Sequence, residues 1–249
     1  MTSAFTDLSG RTVDLLRKVR SKGFGGSYRA VVRRIPPWEE RIRDLYCEWR
    51  LGISTDGEIP GPALGHRDPD CHHYGPSYYG SVHRILKAVP FRDGSDVFID
   101  FGSGKGRVLV VASGYPFRRV IGVECAQQLT DVAWQNVERA RRWMRCPDIE
   151  IVTADAASYD VPDDATVLYF QNPFSGHVVD AVLERIKTSL NRAPRQIFLI
   201  SHSHDPAYRF EQQVRTCPWL QLWAEVRLQR GTRAWIYTNA RWSAAPAGA

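Results

Sequence analysis

The sequence predicts an α/β protein whose core is a mostly parallel sheet with helices on both faces. Three observations support this fold class. From residue 96 onward, short apolar segments of strand type alternate with segments of helical periodicity. A glycine-rich turn follows the first of these strands. Only four residues, QRGT (229–232), separate the last two strands, which must therefore pair antiparallel because a parallel return needs a long crossover.

Two helices and a long loop are predicted before the sheet. Residues 12–22 have helical periodicity, and residues 38–53 follow Pro37 and combine an apolar stripe with a charged opposite face. The apolar stripe of the second helix consists of Trp38, Ile42, Leu45, Tyr46 and Trp49. We expect both helices to pack onto, or cap, a larger domain. Residues 52–75 are rich in Gly, Pro and Asp, which predicts a loop that acts as a lid or binding segment.

Seven strands and the helices between them are predicted in the remainder of the chain. Pro76 opens a helix, a second helix follows the glycine-rich turn, and others cover 129–144 and 178–190. The strands are VFIDF (97–101), RVIGVE (119–124), IEIVTAD (149–155), TVLYFQN (166–172), RQIFLIS (195–201), WLQLWAEVRL (219–228) and RAWIYTN (233–239). The last seven residues, 243–249, are expected to be a disordered tail.

The charge and cysteine content of the chain limit the classes of partner that we expect. The 249 residues include 33 Lys and Arg against 27 Asp and Glu, a net charge of +6. This modest excess fits an acidic ligand but forms no dense basic stripe, so nucleic acid is not expected as a partner. No secretory leader pattern or long apolar run occurs, and the five cysteines lack CxxC spacing. We therefore expect a cytoplasmic protein without a membrane anchor, and leave the oligomeric state open.

A metal site is also not expected. Cys71, His72 and His73 lie beside Asp70 and His66, but adjacent side chains of an extended segment point in different directions.

The glycine-rich turn has the pattern Gly102-x-Gly104-x-Gly106. Glycines in a turn between a strand and a helix allow a ligand to approach the main chain at the helix amino terminus. The dinucleotide fingerprint would need glycine where Arg107 stands, and a phosphate-binding P-loop would need one where Ile99 stands. Both of these binding motifs are therefore excluded.

Three carboxylates follow successive strands of the predicted sheet. Asp100 lies in the first strand, Glu124 ends the second, and Asp155 ends the third. Open sheets bind ligands at the carboxyl ends of their strands, and a carboxylate there can accept two hydrogen bonds from a ribose diol. The spacing predicts one nucleoside-binding site built from all three residues.

These motifs, in this order, resemble the class I S-adenosylmethionine-dependent methyltransferases. The matching stretches are VFIDFGSGKGRV, VIGVE, IVTADAA, LYFQNPF and the upstream YGPSYY. Within that superfamily, they resemble a bacterial branch loosely akin to Dot1-type enzymes. The resemblance implies a Rossmann-like seven-stranded sheet with an antiparallel carboxyl-terminal hairpin. It also implies a catalytic domain over 74–242, preceded by the helices and lid loop of 1–73.

The resemblance assigns cofactor contacts to ten residues. Asp100, Gly102, Ser103 and Gly104 would hold the methionine part of S-adenosylmethionine, and Tyr74 would close over the cofactor. Lys105 and Arg107 are further candidates for its carboxylate. Glu124 would bind the ribose, and Cys125, Asp155 and Ala156 would contact the adenine. Asn172 would lie near the methyl group.

Acceptor chemistry is implied by residues 171–176, QNPFSG. Asn172, Pro173 and Phe174 resemble the (D/N)-P-P-(Y/F) motif of amino-group methyltransferases, although a second proline is missing. His202 and His204, after the fifth strand, are candidate bases for a hydroxyl or carboxyl acceptor.

Three functional hypotheses remain open on the sequence alone. The first is methyl transfer to a small-molecule or peptide acceptor. The second keeps the methyltransferase but gives it a protein or RNA substrate. The third is a cofactor-binding regulatory subunit without catalysis, which the three retained carboxylates argue against. A nicotinamide oxidoreductase is disfavoured by Arg107 and by the final hairpin.

Overall fold

A computed structural model describes residues 37–65, 70–203 and 210–239 of the chain. The predicted helix over 12–22, His66, His204 and the predicted tail over 243–249 lie outside the described residues. Residues from Pro37 onward belong to one compact unit. None of the described helices is both long and apolar enough to cross a membrane.

A seven-stranded sheet forms the centre of this unit. Its strands are β1 Val97–Phe101, β2 Arg119–Glu124, β3 Ile149–Thr153, β4 Ala165–Phe170, β5 Phe198–Ser203, β6 Gln221–Arg227 and β7 Arg233–Thr238. Their order across the sheet is β3-β2-β1-β4-β5-β7-β6. The first five strands run parallel, whereas β7 pairs antiparallel with both β5 and β6. The predicted fold class is therefore confirmed.

Six helices lie around the sheet in the described residues. They are α1 Pro37–Leu51, α2 Tyr79–Leu86, α3 Arg107–Ser113, α4 Gln127–Ala140, α5 Gly176–Arg192 and α6 Phe210–Thr216. The predicted strands are found with their ends displaced by three residues or fewer. The end of β4 shows one reason, since Asn172 has a φ of 42° and turns the chain out of the sheet just beyond it.

Both faces of the sheet are buried. All five residues of β1 are buried, as expected for a central parallel strand covered by helices on both sides. Phe98 packs in one core cluster, and Ile99 and Phe101 pack in another, as strand alternation requires. Because β1, β2 and β4 are parallel neighbours, their carboxyl ends meet at one edge of the sheet.

Helix α1 packs in the opposite sense to an ordinary amphipathic helix. Its buried side chains are Glu40, Asp44 and Glu48, spaced four residues apart, with Glu40 only 2% exposed. Leu45, Tyr46 and Trp49 of its apolar stripe face outward instead, and Trp49 is 78% exposed. The reason is Arg107, a buried guanidinium of α3 that pairs with two of these carboxylates.

This orientation predicts an unequal response to two truncations. Trp49→Ala should change the free energy of unfolding by less than about 0.5 kcal/mol, because the indole lies in solvent. Leu86→Ala, at a fully buried position of α2, should cost about 2–5 kcal/mol. Urea denaturation of the two variants measures both values. A large loss at Trp49 would show that α1 packs through its apolar face.

Candidate functional site

A cavity of about 370 Å³ opens at the carboxyl edge of the sheet. This volume lies within the range of small-molecule and cofactor sites. Nine of the ten residues to which the resemblance assigns cofactor contacts line it: Tyr74, Asp100, Gly102, Ser103, Glu124, Cys125, Asp155, Ala156 and Asn172. Residues from four different strand ends and from the 70–77 segment thus converge on one space.

The bare backbone of the glycine-rich turn is needed for close packing. Gly102 has a φ of 77°, and a Cβ there would lie 2.5 Å from Pro173 Cβ. Gly104 has a φ of 54°, and a Cβ there would lie 2.3 Å from the Tyr74 ring. Both glycines therefore let segments from elsewhere in the chain close over the turn. Gly104 lies behind the Tyr74 ring rather than in the cavity lining.

Two of the predicted carboxylates lie close to each other inside the cavity. Glu124 Oε2 accepts a hydrogen bond from the Gly104 N–H at 3.0 Å, and its Oε1 accepts one from the Ala126 N–H at 2.9 Å. Asp100 is 2% exposed. Burial, and next the negative charge of Glu124, raise the pKa of Asp100 well above its usual range. A positively charged ligand group would therefore be favoured beside Asp100.

Ser103 provides an independent indication of a polar ligand. Its Oγ is buried and has no hydrogen-bond partner within the described part of the chain, although the residue lines the cavity. Buried hydroxyls are normally satisfied, so this orphaned atom indicates a polar ligand group in that position.

The rim of the cavity holds the other predicted nucleoside contacts. Asp155 is exposed, and its Oδ1 accepts a hydrogen bond from the Ala157 N–H at 2.9 Å. Cys125 is also exposed, and partial burial of its thiol together with the Glu124 charge raises its pKa to about 12. This thiol is therefore protonated at neutral pH, and Cys125 offers an uncharged surface to a ligand.

The turn after β4 is held by contacts within the protein. Asn172 Nδ2 donates to Ser203 Oγ at 3.2 Å. His72 bridges back to this turn: its N–H donates to the Pro173 carbonyl at 3.2 Å, and its Nδ1 donates to the Asn172 carbonyl at 2.8 Å. Phe174 is 4% exposed and packs edge-on against neighbouring phenylalanines. The carbonyls and ring of this motif thus already have partners inside the chain.

Of the two predicted histidines, His202 does not line the cavity. His202 is fully buried, with Nδ1 2.6 Å from Tyr169 Oη and 3.4 Å from Ser77 Oγ. Ser77 lines the cavity, so His202 lies one side chain behind its wall. His204 lies outside the described part of the chain. Within that part, no three His, Cys, Asp or Glu side chains converge to hold a metal ion.

Arg107 joins four segments at the cavity wall, which the sequence did not predict. Its Nε donates to Thr55 Oγ1 at 2.6 Å, and one terminal nitrogen donates to Asp44 at 2.7 Å and to the Ser77 carbonyl at 2.9 Å. The other terminal nitrogen donates to Glu48 at 3.0 Å. Burial raises the pKa of Asp44 to about 6, with Arg107 opposing the shift. We call this set of contacts the Arg107 clamp.

Lys105 is held in a similar way. Its Nζ donates to the Asp56 carbonyl at 2.9 Å and lies 4.9 Å from the centre of the Tyr74 ring. Tyr74 in turn donates its hydroxyl to the Thr55 carbonyl at 2.5 Å. Lys105 and Arg107, both candidates for a cofactor carboxylate, are therefore bound to the protein itself. The four-residue spacing of Glu40, Asp44 and Glu48 on α1 is the sequence signal that could have indicated a buried partner for these carboxylates.

The Arg107 clamp predicts a strong effect of removing the cation. Arg107→Met should lower the free energy of unfolding by about 3–5 kcal/mol, because Asp44 and Glu48 would be buried without their partner. A matched triple variant, Arg107→Met with Asp44→Asn and Glu48→Gln, should regain part of this loss, since it buries no uncompensated charge. Denaturant titration of both proteins measures the difference. Equal stability of wild type and Arg107→Met would exclude a stabilising clamp.

Comparisons with known proteins relate the chain to methyltransferases. Residues 70–170 match the family model of the histone methylation protein DOT1. A solved S-adenosylmethionine-dependent methyltransferase from Aquifex aeolicus is 11% identical, with a TM-score of 0.53 over 83% of this chain and 100% of its own. An RNA methyltransferase from Salinibacter ruber is 21% identical, with a TM-score of 0.49 over 67% of this chain and 95% of its own.

No curated protein is significantly similar to the chain in sequence. The DOT1 match nevertheless covers the glycine-rich turn and all three carboxylates, and the Aquifex aeolicus enzyme shares the fold of this chain. The family match and the shared fold together support a class I S-adenosylmethionine-dependent methyltransferase.

Proposed function

We propose that this enzyme transfers the methyl group of S-adenosylmethionine to a small-molecule or peptide acceptor at the carboxyl edge of the sheet. One observation carries the proposal: Asp100, Glu124 and Asp155 line a single cavity together with the unpartnered hydroxyl of Ser103. A nucleoside that carries a cationic amino-acid tail matches this set of groups.

The nucleoside part would be held by carboxylates that retain free acceptor capacity. Glu124 Oε2 accepts one hydrogen bond, from the Gly104 N–H, and has a second lone pair available for a ribose hydroxyl, whereas Oε1 accepts from both the Ala126 N–H and the Cys125 thiol. Asp155 uses one oxygen for the Ala157 N–H, which leaves the other for the adenine amino group. Ala156 and Cys125 would pack beside the base.

The methionine part would lie beside Asp100 and the turn formed by Gly102, Ser103 and Gly104. The bound cofactor supplies an electrophilic methyl group on a sulfonium. The chain's tasks are to align the acceptor with that group and to exclude water, which Tyr74 assists by covering the turn. A base is needed only for an acceptor that arrives protonated.

Two candidates for contact with the methyl acceptor lie in or behind the wall of the same cavity. Asn172 lines the cavity and remains our candidate for contact with the acceptor or the methyl group. His202 could act as a base only if Ser77 passed the proton to it, because Ser77 lies between His202 and the cavity. His204 remains a candidate base from the sequence. Because His72 already donates to the Asn172 and Pro173 carbonyls, an amino acceptor would have to use the second lone pair of one of these oxygens.

A second candidate substrate is a protein or RNA segment. It is favoured by the outward apolar face of α1, which offers a surface larger than a small acceptor needs. A non-catalytic regulatory subunit is the third candidate.

An acceptor screen with isotopically labelled S-adenosylmethionine separates these functions. Methyl gain on a small molecule or peptide supports the first, gain on protein or RNA supports the second, and cofactor binding without any transfer supports the third.

The ribose role of Glu124 predicts a loss of cofactor affinity. Glu124→Ala should weaken binding by about 1.5–3 kcal/mol through loss of charge-assisted hydrogen bonds. This corresponds to a roughly 10- to 150-fold rise in Kd by titration calorimetry. Glu124→Gln is the matched control, since its amide oxygen still accepts from Gly104, and its loss should be smaller. An unchanged Kd in a folded Glu124→Ala protein would contradict the ribose role.

The environment of Asp100 predicts that cofactor binding releases a proton. In the free protein the pKa of Asp100 is raised, so this carboxyl retains a proton at higher pH than usual. A positive ligand beside it favours the ionised form and lowers that pKa. Affinity should therefore rise with pH until the pH exceeds the raised pKa, and level off above it. Calorimetry in buffers of different ionisation enthalpy detects the released proton, and Asp100→Asn should abolish it. Identical binding enthalpies in all buffers would refute this linkage.

A further inference from the structure

The outer face of α1 is apolar although nothing in the described chain covers it. Leu45 is 49% exposed, Tyr46 42% and Trp49 78%. The inner face of the same helix buries carboxylates, which an amphipathic helix normally directs to solvent. Exposed aromatic residues in a contiguous group mark interaction surfaces more often than isolated ones do. The orientation of α1 therefore leaves a large aromatic surface available to a partner.

A row of alternating aromatic and arginine side chains extends this face. The Tyr46 and Trp49 rings are 5.9 Å apart, centre to centre. Arg50 follows Trp49 in sequence, and its guanidinium lies 4.7 Å from the centre of the Trp143 ring. The Arg142 guanidinium lies 5.2 Å from the same ring. We call Tyr46, Trp49, Arg50, Trp143 and Arg142 the Arg–aromatic row.

The charge of the row is uncompensated. Arg50 and Arg142 make no ion pair within the described residues, and the exposed Arg139 and Arg145 lie close by in sequence. Among the neighbouring arginines, Arg141 is neutralised by Glu138 at 2.5 Å. Trp143 has two guanidiniums against its ring, and these contacts favour the positions of both cations before any partner binds. The surface thus combines oriented cations with two flat rings.

We propose that the Arg–aromatic row binds single-stranded nucleic acid. Tyr46 and Trp49 would stack on bases, and Arg50 and Arg142 would contact phosphates, the two interactions that ssDNA- and ssRNA-binding proteins combine. A second copy of the chain fits less well, because a symmetric contact would bring the arginines of both copies together. An acidic protein would satisfy the arginines but gives no reason for the adjacent rings.

The location of the row connects it to the cavity. The inner face of α1 contacts Arg107, which lines the cavity, and a helix is about 10 Å across. A strand bound to the row therefore lies about one helix diameter from the cavity wall. This inference goes beyond the proposed methyl transfer and does not depend on it.

Fluorescence anisotropy of the full chain tests the proposal, with labelled 12-residue oligo(U) and oligo(dT) as probes. Trp49→Ala should raise Kd about tenfold through loss of base stacking. The double variant Arg50→Gln, Arg142→Gln should reduce the slope of log K against log salt by about 1.4, or 0.7 per lost phosphate contact. The matched control replaces exposed residues elsewhere, Trp223→Ala with Arg185→Gln, and should bind like wild type.

Four results would overturn the proposal. These are no binding of either probe, equal binding by wild type and the row variants, displacement of the probes by polyglutamate with no effect of Trp49→Ala, and a dimer in sedimentation that Trp49→Ala dissociates. S-adenosylmethionine affinity, measured for the same proteins, should be unchanged. A wild-type chain that binds the probes but no cofactor would refute the methyltransferase function and leave the docking surface standing.

Discussion

The buried guanidinium of Arg107 is the constraint on which the arrangement around the cavity depends. A cation this deeply buried needs several well-placed acceptors, because desolvation of the charge is costly. The acceptors come from α1, from Thr55 and from the Ser77 carbonyl. Arg107 begins α3 directly after the glycine-rich turn, so the same side chain fixes the turn and the segments that close over it.

The same constraint explains why α1 is inverted. Once Asp44 and Glu48 must face Arg107, the helical period of 3.6 residues directs Leu45, Tyr46 and Trp49 away from the sheet. The helix is thus attached by charge and by Cys47 and Leu51, which pack against the core, and Leu45, Tyr46 and Trp49 are left outside. A hydrophobic attachment would have buried the aromatic residues and closed the surface that we assign to nucleic acid.

Most of the fold was predictable because its signals are local. Strand alternation, the glycine turn and the short final hairpin each depend on neighbouring residues, and all were found where the sequence placed them. The convergence of Asp100, Glu124 and Asp155 on one cavity also followed from strand order. The orientation of α1 was not predictable in this way, because it depends on Arg107, more than 55 residues further along the chain. The commitment of Lys105 to Asp56 and Tyr74 depends on similarly distant partners.

The clamp also bears on where the catalytic domain begins. A shortened chain starting at residue 74 would keep every strand and every cofactor-contacting residue proposed above. It would nevertheless lack Asp44, Glu48 and Thr55, and Arg107 would then lie in the interior with only the Ser77 carbonyl as its acceptor. We therefore expect the smallest autonomously folding unit to include α1, and a fragment that begins at residue 74 to be less stable than the whole chain.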